Sequence, residues 1–198
     1  MDVRFRPPLT IISRTSSLKN SFVQAILPAI EPTPEEVVEA LAILGMTPDA
    51  MSCAYCGASS TDWDHLRPMV RRKRPTGYIT EIRNLVPSCG PCNQSKSGAD
   101  WHAWMIGTAR GSPRMKGVSD LKTRIDRLKL YEQWGQVEPL PLRELGGAEL
   151  WDKHWDNLEV LVEGMREAQA HAVQLRESIR SRLMSMAPIP GLYEDHSL

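Results

Sequence analysis

The strongest constraint on this chain is the placement of its four cysteines. They stand at Cys53, Cys56, Cys89 and Cys92, two C-x-x-C pairs with 32 residues between them. In a secreted chain this count would read as two disulfides. The first fifteen residues carry Arg4, Arg6 and Arg14 but no apolar stretch ahead of a small-residue cleavage site, so no secretory signal is expected. No apolar run is long enough for a membrane span, so no membrane partner is expected either. The expected compartment is the cytoplasm, where thiols stay reduced and a metal site is the better reading. Each C-x-x-C turn aims two sulfurs at one point, and four thiolates suit tetrahedral zinc. A structural Zn2+ on Cys53, Cys56, Cys89 and Cys92 is the expectation.

Charge is distributed around this frame. The chain has 198 residues, with 24 Lys+Arg and 24 Asp+Glu, so its formal net charge is zero. The zero hides a segregation. Residues 1–50 carry 4 basic and 6 acidic side chains, residues 51–130 carry 14 and 6, and residues 131–198 carry 6 and 12. A globally basic nucleic-acid protein is excluded, but the middle third suits a polyanion. Hydrophobic residues make up 41%, enough for a packed core.

The pattern predicts helices on both sides of the cysteines. Ser16 to Ile30 has helical apolar spacing. Thr33-Pro34-Glu35-Glu36 is a capping box with proline at the first helical position, opening a helix that should stop at Gly45. Between the knuckles, Trp63 to Arg67 and Tyr78 to Leu85 read as strands, with a turn at Pro75-Thr76-Gly77. Asn93 to Lys96 should open a helix, and Asp100 a second one. Ser119 to Trp134 is a helix candidate. From Ala148 to Met184 only Gly164 interrupts, so one long helix or a helical pair is expected. There Leu158, Leu161, Met165, Ala168, Ala172, Leu175 and Ile179 recur at heptad spacing. The same seam would serve core packing or a dimer. Three segments follow: 1–50 helical, 51–107 carrying the knuckles, and 108–198 helical. The fold class is α+β.

The chemistry lies inside the cysteine frame. Asp64-His65 and Asn84-Leu85 sit between the knuckles, Asn93 follows the last cysteine directly, and Lys96 comes three residues later. An isolated Asp-His pair means little. Framed in this way, it resembles the HNH endonuclease family, which has the ββα-metal fold. The resemblance covers about residues 51–105. It implies a zinc-stapled ββα-metal module that hydrolyses DNA with a divalent metal, Mg2+ or another such as Mn2+. Asp64 and Asn93 would hold that catalytic metal, His65 would be the general base, and Asn84 would steady the loop carrying His65. Family members have His or Asn at the position of Asn93; an amide oxygen is the harder ligand. A neutral imidazole with an ordinary pKa of about 6.5 suits proton removal near neutrality. Neighbouring strand residues point to opposite faces, so Asp64 and His65 share a site only if the strand ends there.

Arg71-Arg72-Lys73-Arg74 would neutralise phosphates between the two strands, and Lys96 would meet another. Arg110, Arg114, Lys116, Lys122, Arg124 and Arg127 form a second basic stretch. Trp63, Trp101 and Trp104 read as core around the module. The expected partner is double-stranded DNA, cut by a homodimeric restriction-type enzyme at a two-fold site. Homing, phage and modified-DNA-specific nucleases built on this module are alternatives, as is a non-catalytic zinc module. A helical oligomerisation protein would use only the C-terminal heptads.

Overall fold

The computed structural model describes residues 7–59 and 62–185. The chain is mixed α+β and divides into two compact units, residues 20–147 and residues 1–19 with 148–198. Both flanking segments feed the second unit, and the first carries everything between the knuckles.

In the 20–147 unit, α1 (Thr15–Ala25) ends early in the segment and α2 (Pro34–Ile43) follows. The α2 cap is the one its sequence encodes. The Thr33 hydroxyl accepts from Glu36 N at 3.2 Å, and the Glu36 carboxylate accepts from Thr33 N at 2.9 Å. Gly45 ends the helical segment at φ +71°, where a Cβ would sit 2.7 Å from the Arg127 guanidinium. Strand β1 (Asp62–His65) pairs antiparallel with β4 (Leu85–Ser88), Asp64 opposite Val86 and His65 opposite Leu85. Helix α3 (Gly90–Lys96) follows β4 at once, completing a ββα unit. Between the long strands, β2 (Val70–Arg71) and β3 (Arg74–Pro75) form a small hairpin.

The second strand lies later than the β-formers suggest. Tyr78 to Thr80 is extended, but Thr80 bridges to Ala29 instead, and Ile30 N donates to Thr80 O at 2.8 Å. Ile82–Asn84 is a 3-10 turn. The paired residues are therefore Leu85–Ser88, which include Pro87, a poor strand former tolerated in a two-stranded edge. The expected turn at Pro75-Gly77 is also displaced. The hairpin reverses at Arg72-Lys73, both with positive φ (+51° and +62°).

Helices α4 (Trp101–Met105) and α5 (Leu121–Gly135) complete the core, and α6 (Leu142–Gly146) leads out. The buried cluster joins Ala40 of α2 and its C-cap Leu44, Tyr55, Leu66, Ile82, Val86, Trp101, Trp104, Ile125, Leu128 and Tyr131 around the cysteines. Trp101 and Trp104 are core, as their sequence context suggests, and Trp63 packs against them half-buried. The Tyr131 hydroxyl donates to the carbonyls of Ile82 and Leu85, tying α5 to the start of β4.

In the other unit, α7 (Ala148–Ser185) is one continuous helix. A 3-10 turn at Ile11–Arg14 packs on it, with Ile11 N donating to the Gln169 side chain at 2.7 Å. The covered stripe is Trp155, Leu158, Val162, Met165, Gln169 and Ala172. This differs from the expected seam: Leu161 and Ala168 are exposed, and Val162 and Gln169 take their places. Leu175 and Ile179, the last seam residues, are about half exposed. Among the described residues, no helix is long and apolar enough to cross a membrane.

Candidate active site and metal centre

The knuckle turns bring Cys53, Cys56, Cys89 and Cys92 together, with all four sulfurs within 4.8 Å of one another. Cys56 Sγ and Cys89 Sγ are 3.7 Å apart. Four sulfurs at about 2.3 Å from one zinc sit about 3.8 Å apart, so the cluster has the dimensions of a tetrahedral Zn2+ site. Three of the four are buried, as a closed structural site requires. A hydrogen bond from Cys92 draws the Cys53 thiol down to about 4, and Cys92, sharing that bond, is raised.

Two members of the second basic stretch, Lys116 and Arg124, reach this cluster, while Arg110, Arg114 and Lys122 are exposed. Lys116 Nζ lies 3.5 Å from Cys92 Sγ. Arg124 donates to the Cys53 carbonyl at 3.1 Å and pairs with Asp120 at 2.8 Å. Its guanidinium also fills the space beside Gly57, where a Cβ would lie at 2.4 Å. Four thiolates around a divalent ion leave net negative charge, which these cations offset. Arg114 donates to the Ile106 carbonyl.

The β1–β4 pair carries the second constellation. β1 ends at His65, so Asp64 and His65 both reach one pocket of about 350 Å³, which Asn93 of α3 also lines. Lys73, Arg72, Asn20 and Gln24 line it too. The ββα unit therefore gathers Asp64, His65 and Asn93, although Asn93 is distant from the other two in sequence.

Asp64 is buried and held from two directions on one oxygen. Tyr55 OH donates to Oδ2 at 2.7 Å, and Lys96 Nζ lies 3.0 Å from it. Oδ1 is left for the pocket. Lys96 is the clearest departure from expectation. Its side chain is 1% exposed, and Nζ also donates to the His65 carbonyl at 2.8 Å. It sits in the last turn of α3, whose inner face packs on β1, so it meets a carboxylate and not a phosphate. Burial raises the Tyr55 phenol well above its usual value, and the neighbouring Asp64 carboxylate adds to the rise.

His65 Nε2 is 2.9 Å from Thr80 Oγ1, and that hydroxyl is directed at Met69 Sδ at 3.4 Å. A hydroxyl can donate to or accept from an imidazole nitrogen, so Thr80 holds the ring through Nε2 in either tautomer. Burial pushes the imidazole below its ordinary 6.5; the Asp64 carboxylate works against this, and the Lys96 ammonium adds to it.

Asn84 is fully buried and never reaches the pocket. Its Oδ1 accepts from Arg67 N at 2.8 Å, and Nδ2 donates to the carbonyls of Arg67 and Ile79 at 3.1 and 3.2 Å. It clamps the chain two residues beyond His65. Arg71, Arg72, Lys73 and Arg74 are exposed along the hairpin. Lys73 Nζ donates to Asn20 Oδ1 at 3.2 Å.

Sequence reasoning missed Tyr55, Thr80, Asn20 and Gln24. Tyr55 is one of the variable positions inside the first C-x-x-C knuckle, and the other three line or touch the site from segments without a motif. Comparison of the chain with family models, with curated proteins and with solved structures gives no match to any of them.

Proposed function

We propose that this protein is a metal-dependent HNH-type endonuclease that hydrolyses phosphodiester bonds in double-stranded DNA in the cytoplasm. The observation that carries the reading is the convergence of Asp64, His65 and Asn93 on one pocket, with Arg72 and Lys73 at its edge and the four-cysteine cluster bracing the same ββα unit.

The donor set fits a hard cation. Asp64 Oδ1 and the Asn93 amide oxygen are the hard oxygen ligands that Mg2+ or Mn2+ takes. When bound, that cation would stabilise charge on the phosphoryl oxygens and the departing O3′. The chain supplies the rest. Tyr55 and Lys96 fix the Asp64 carboxylate. With the Nε2 hydrogen donated to Thr80, Nδ1 of His65 would accept the proton of the attacking water as the new P–O bond forms and the P–O3′ bond breaks. Arg72 and Lys73 hold phosphates beside it. The zinc cluster has no part in the reaction; it holds strands too short to bury a core alone.

A restriction-type enzyme acting as a homodimer is our reading of the biological role. The support is α7, which presents Leu175, Ile179 and Leu183 half exposed along its final turns. Equilibrium sedimentation should show a dimer; a monomer at high micromolar concentration with and without DNA would remove this part only. The activity is tested by incubating plasmids, methylated and unmethylated, with Mg2+ or Mn2+ beside His65→Ala. Metal-dependent cutting that the variant loses is the expected result. No cutting of any plasmid would favour the non-catalytic zinc module instead.

A further inference from the structure

The arginine hairpin has a second side. There a cleft of about 730 Å³ is lined by Arg67, Arg71, Arg74, Tyr78, Trp101 and Glu132, among others. It shares Pro68 and Arg72 with the catalytic pocket, so the two open on either side of one loop. The volume is that of a small-molecule or nucleotide site. None of the residues assigned to metal binding or proton transfer lines it.

Its polar groups are used on one side only. Glu132 receives both its contacts on Oε1, from Trp101 Nε1 at 3.1 Å and from Arg67 Nη2 at 3.3 Å. No described residue donates to Oε2. Arg67 lies over the Tyr78 ring, 5.5 Å from its centroid, and its Nη1 is buried without a hydrogen-bond partner. An unsatisfied guanidinium N–H is costly, and a ligand acceptor drawing it forward would remove that cost. The cleft thus sets a spare donor beside a spare carboxylate acceptor, with an aromatic face under the donor. Arginines 71, 72 and 74 and Asp100 also line the cleft.

We propose that this cleft binds an unstacked guanine nucleotide of the DNA strand. The guanine edge presents, in order, the O6 acceptor and the N1–H and N2–H donors. Arg67 followed by Glu132 presents the complement, donor then acceptor. Adenine offers a lone pair where guanine has N1–H, and would set it against the carboxylate. The base lies beside the Arg67–Tyr78 stack, and its phosphate meets the arginines that line the cleft. A base inside a duplex cannot offer this edge, so the nucleotide is extruded or single-stranded. The inference rests on the nuclease reading only for the source of the nucleotide.

The test is a titration of the full-length, zinc-loaded protein, without added divalent metal, with 5′-GMP and 5′-AMP. It is followed by calorimetry and by tryptophan fluorescence. Saturable GMP binding at least about tenfold tighter than AMP binding is expected, since one good bidentate contact discriminates bases by about that factor or more. Glu132→Gln should abolish the preference, and Tyr78→Leu should weaken both nucleotides, with melting temperatures recorded for each variant. Equal binding of GMP and AMP would overturn the proposal. So would a preference unchanged in Glu132→Gln, or no saturation by roughly 10 mM. Plasmid cleavage is measured separately. Its failure would sink the nuclease reading while leaving the GMP titration to stand or fall alone.

Discussion

The four-cysteine cluster and the Asp64 pocket are built on the same ββα unit, yet they are opposite kinds of site. The cluster is closed: four like ligands, three of them buried, with sulfurs at zinc spacing and cations packed behind them. The pocket is open, and its three principal groups are unlike one another. In the cluster a bound ion would tie the four ligands to one another. In the pocket two of the groups are held from behind by residues with no chemistry of their own: Asp64 by Tyr55 and Lys96, His65 by Thr80. A closed site stabilises the fold by being filled; an open site must be kept in order by the fold.

The largest effect should come from breaking the closed side. Cys89→Ala removes one of four thiolates from a cluster that ties the start of the ββα unit to its helix. Structural zinc supplies about 10–16 kcal/mol of apparent folding free energy in small zinc modules. The 20–147 unit should lose bound zinc and its cooperative melting transition. Unchanged zinc content by atomic absorption, with an unchanged melt, would refute the zinc assignment.

Breaking the open side should cost activity and leave the fold. His65→Ala is expected to lower cleavage about 10²–10⁴-fold, the usual worth of a positioned base, with a melting temperature near that of the parent. The pH profile sharpens the point. A base must be neutral to accept a proton, and burial holds the imidazole below 6.5. Activity is therefore retained down through pH 6.5 and lost as pH falls through the lowered value. An acid limb in kcat/KM centred above 6.5 would contradict this. Thr80→Val should cut kcat by about 10–100-fold with little change in KM, as loss of an orienting partner does.

Lys96 tests whether the two sites differ in the way argued. Removing one partner of a buried ion pair leaves the other charge stranded and typically costs about 3–5 kcal/mol. Lys96→Met should therefore destabilise the 20–147 unit although it touches no zinc ligand. Asp64 in that variant lacks its cation, so added Mg2+ should raise the melting temperature more than it does in the parent. Equal Mg2+ shifts would mean that Asp64 is not where the ion binds.

The same contrast explains what could be read from the sequence. The cluster was legible because C-x-x-C spacing is local and zinc accepts only a few ligand types. The α2 cap was legible for the same reason, since Thr33 and Glu36 answer each other within one turn. Asp64, His65 and Asn93 could be picked out only through the frame around them. Lys96 read as a surface cation because nothing local shows that α3 turns it onto β1. Tyr55 and Thr80 carry no signal because their roles exist only once the strands pair. The β4 boundary was misplaced because Thr80 is drawn to Ala29, a pairing between segments far apart in the chain. In α7 the true stripe slips by one residue from the heptad reading, since Val162 and not Leu161 faces the packed side.

The smallest stability effect, and a direct probe of the open side, lies in the hairpin tip. Two-residue hairpins with both central residues at positive φ favour Asn-Gly, yet this turn is Arg72-Lys73. Non-glycine residues held there are strained by about 1–3 kcal/mol each. A sequence shaped for stability alone would place Asn-Gly at this tip; this one places two cations on the lip of the pocket. The double variant Arg72→Asn/Lys73→Gly should therefore melt higher than the parent, by about 1 kcal/mol after the loss of the Lys73–Asn20 hydrogen bond is set against the relief. It should also bind DNA more weakly, with the slope of log K against log salt shallower by about 1.8, since each lost phosphate contact removes about 0.9. A melting temperature that rises while the slope stays the same would mean the hairpin cations never touch phosphate. The open side would then have to draw its DNA contacts from elsewhere on the 20–147 unit.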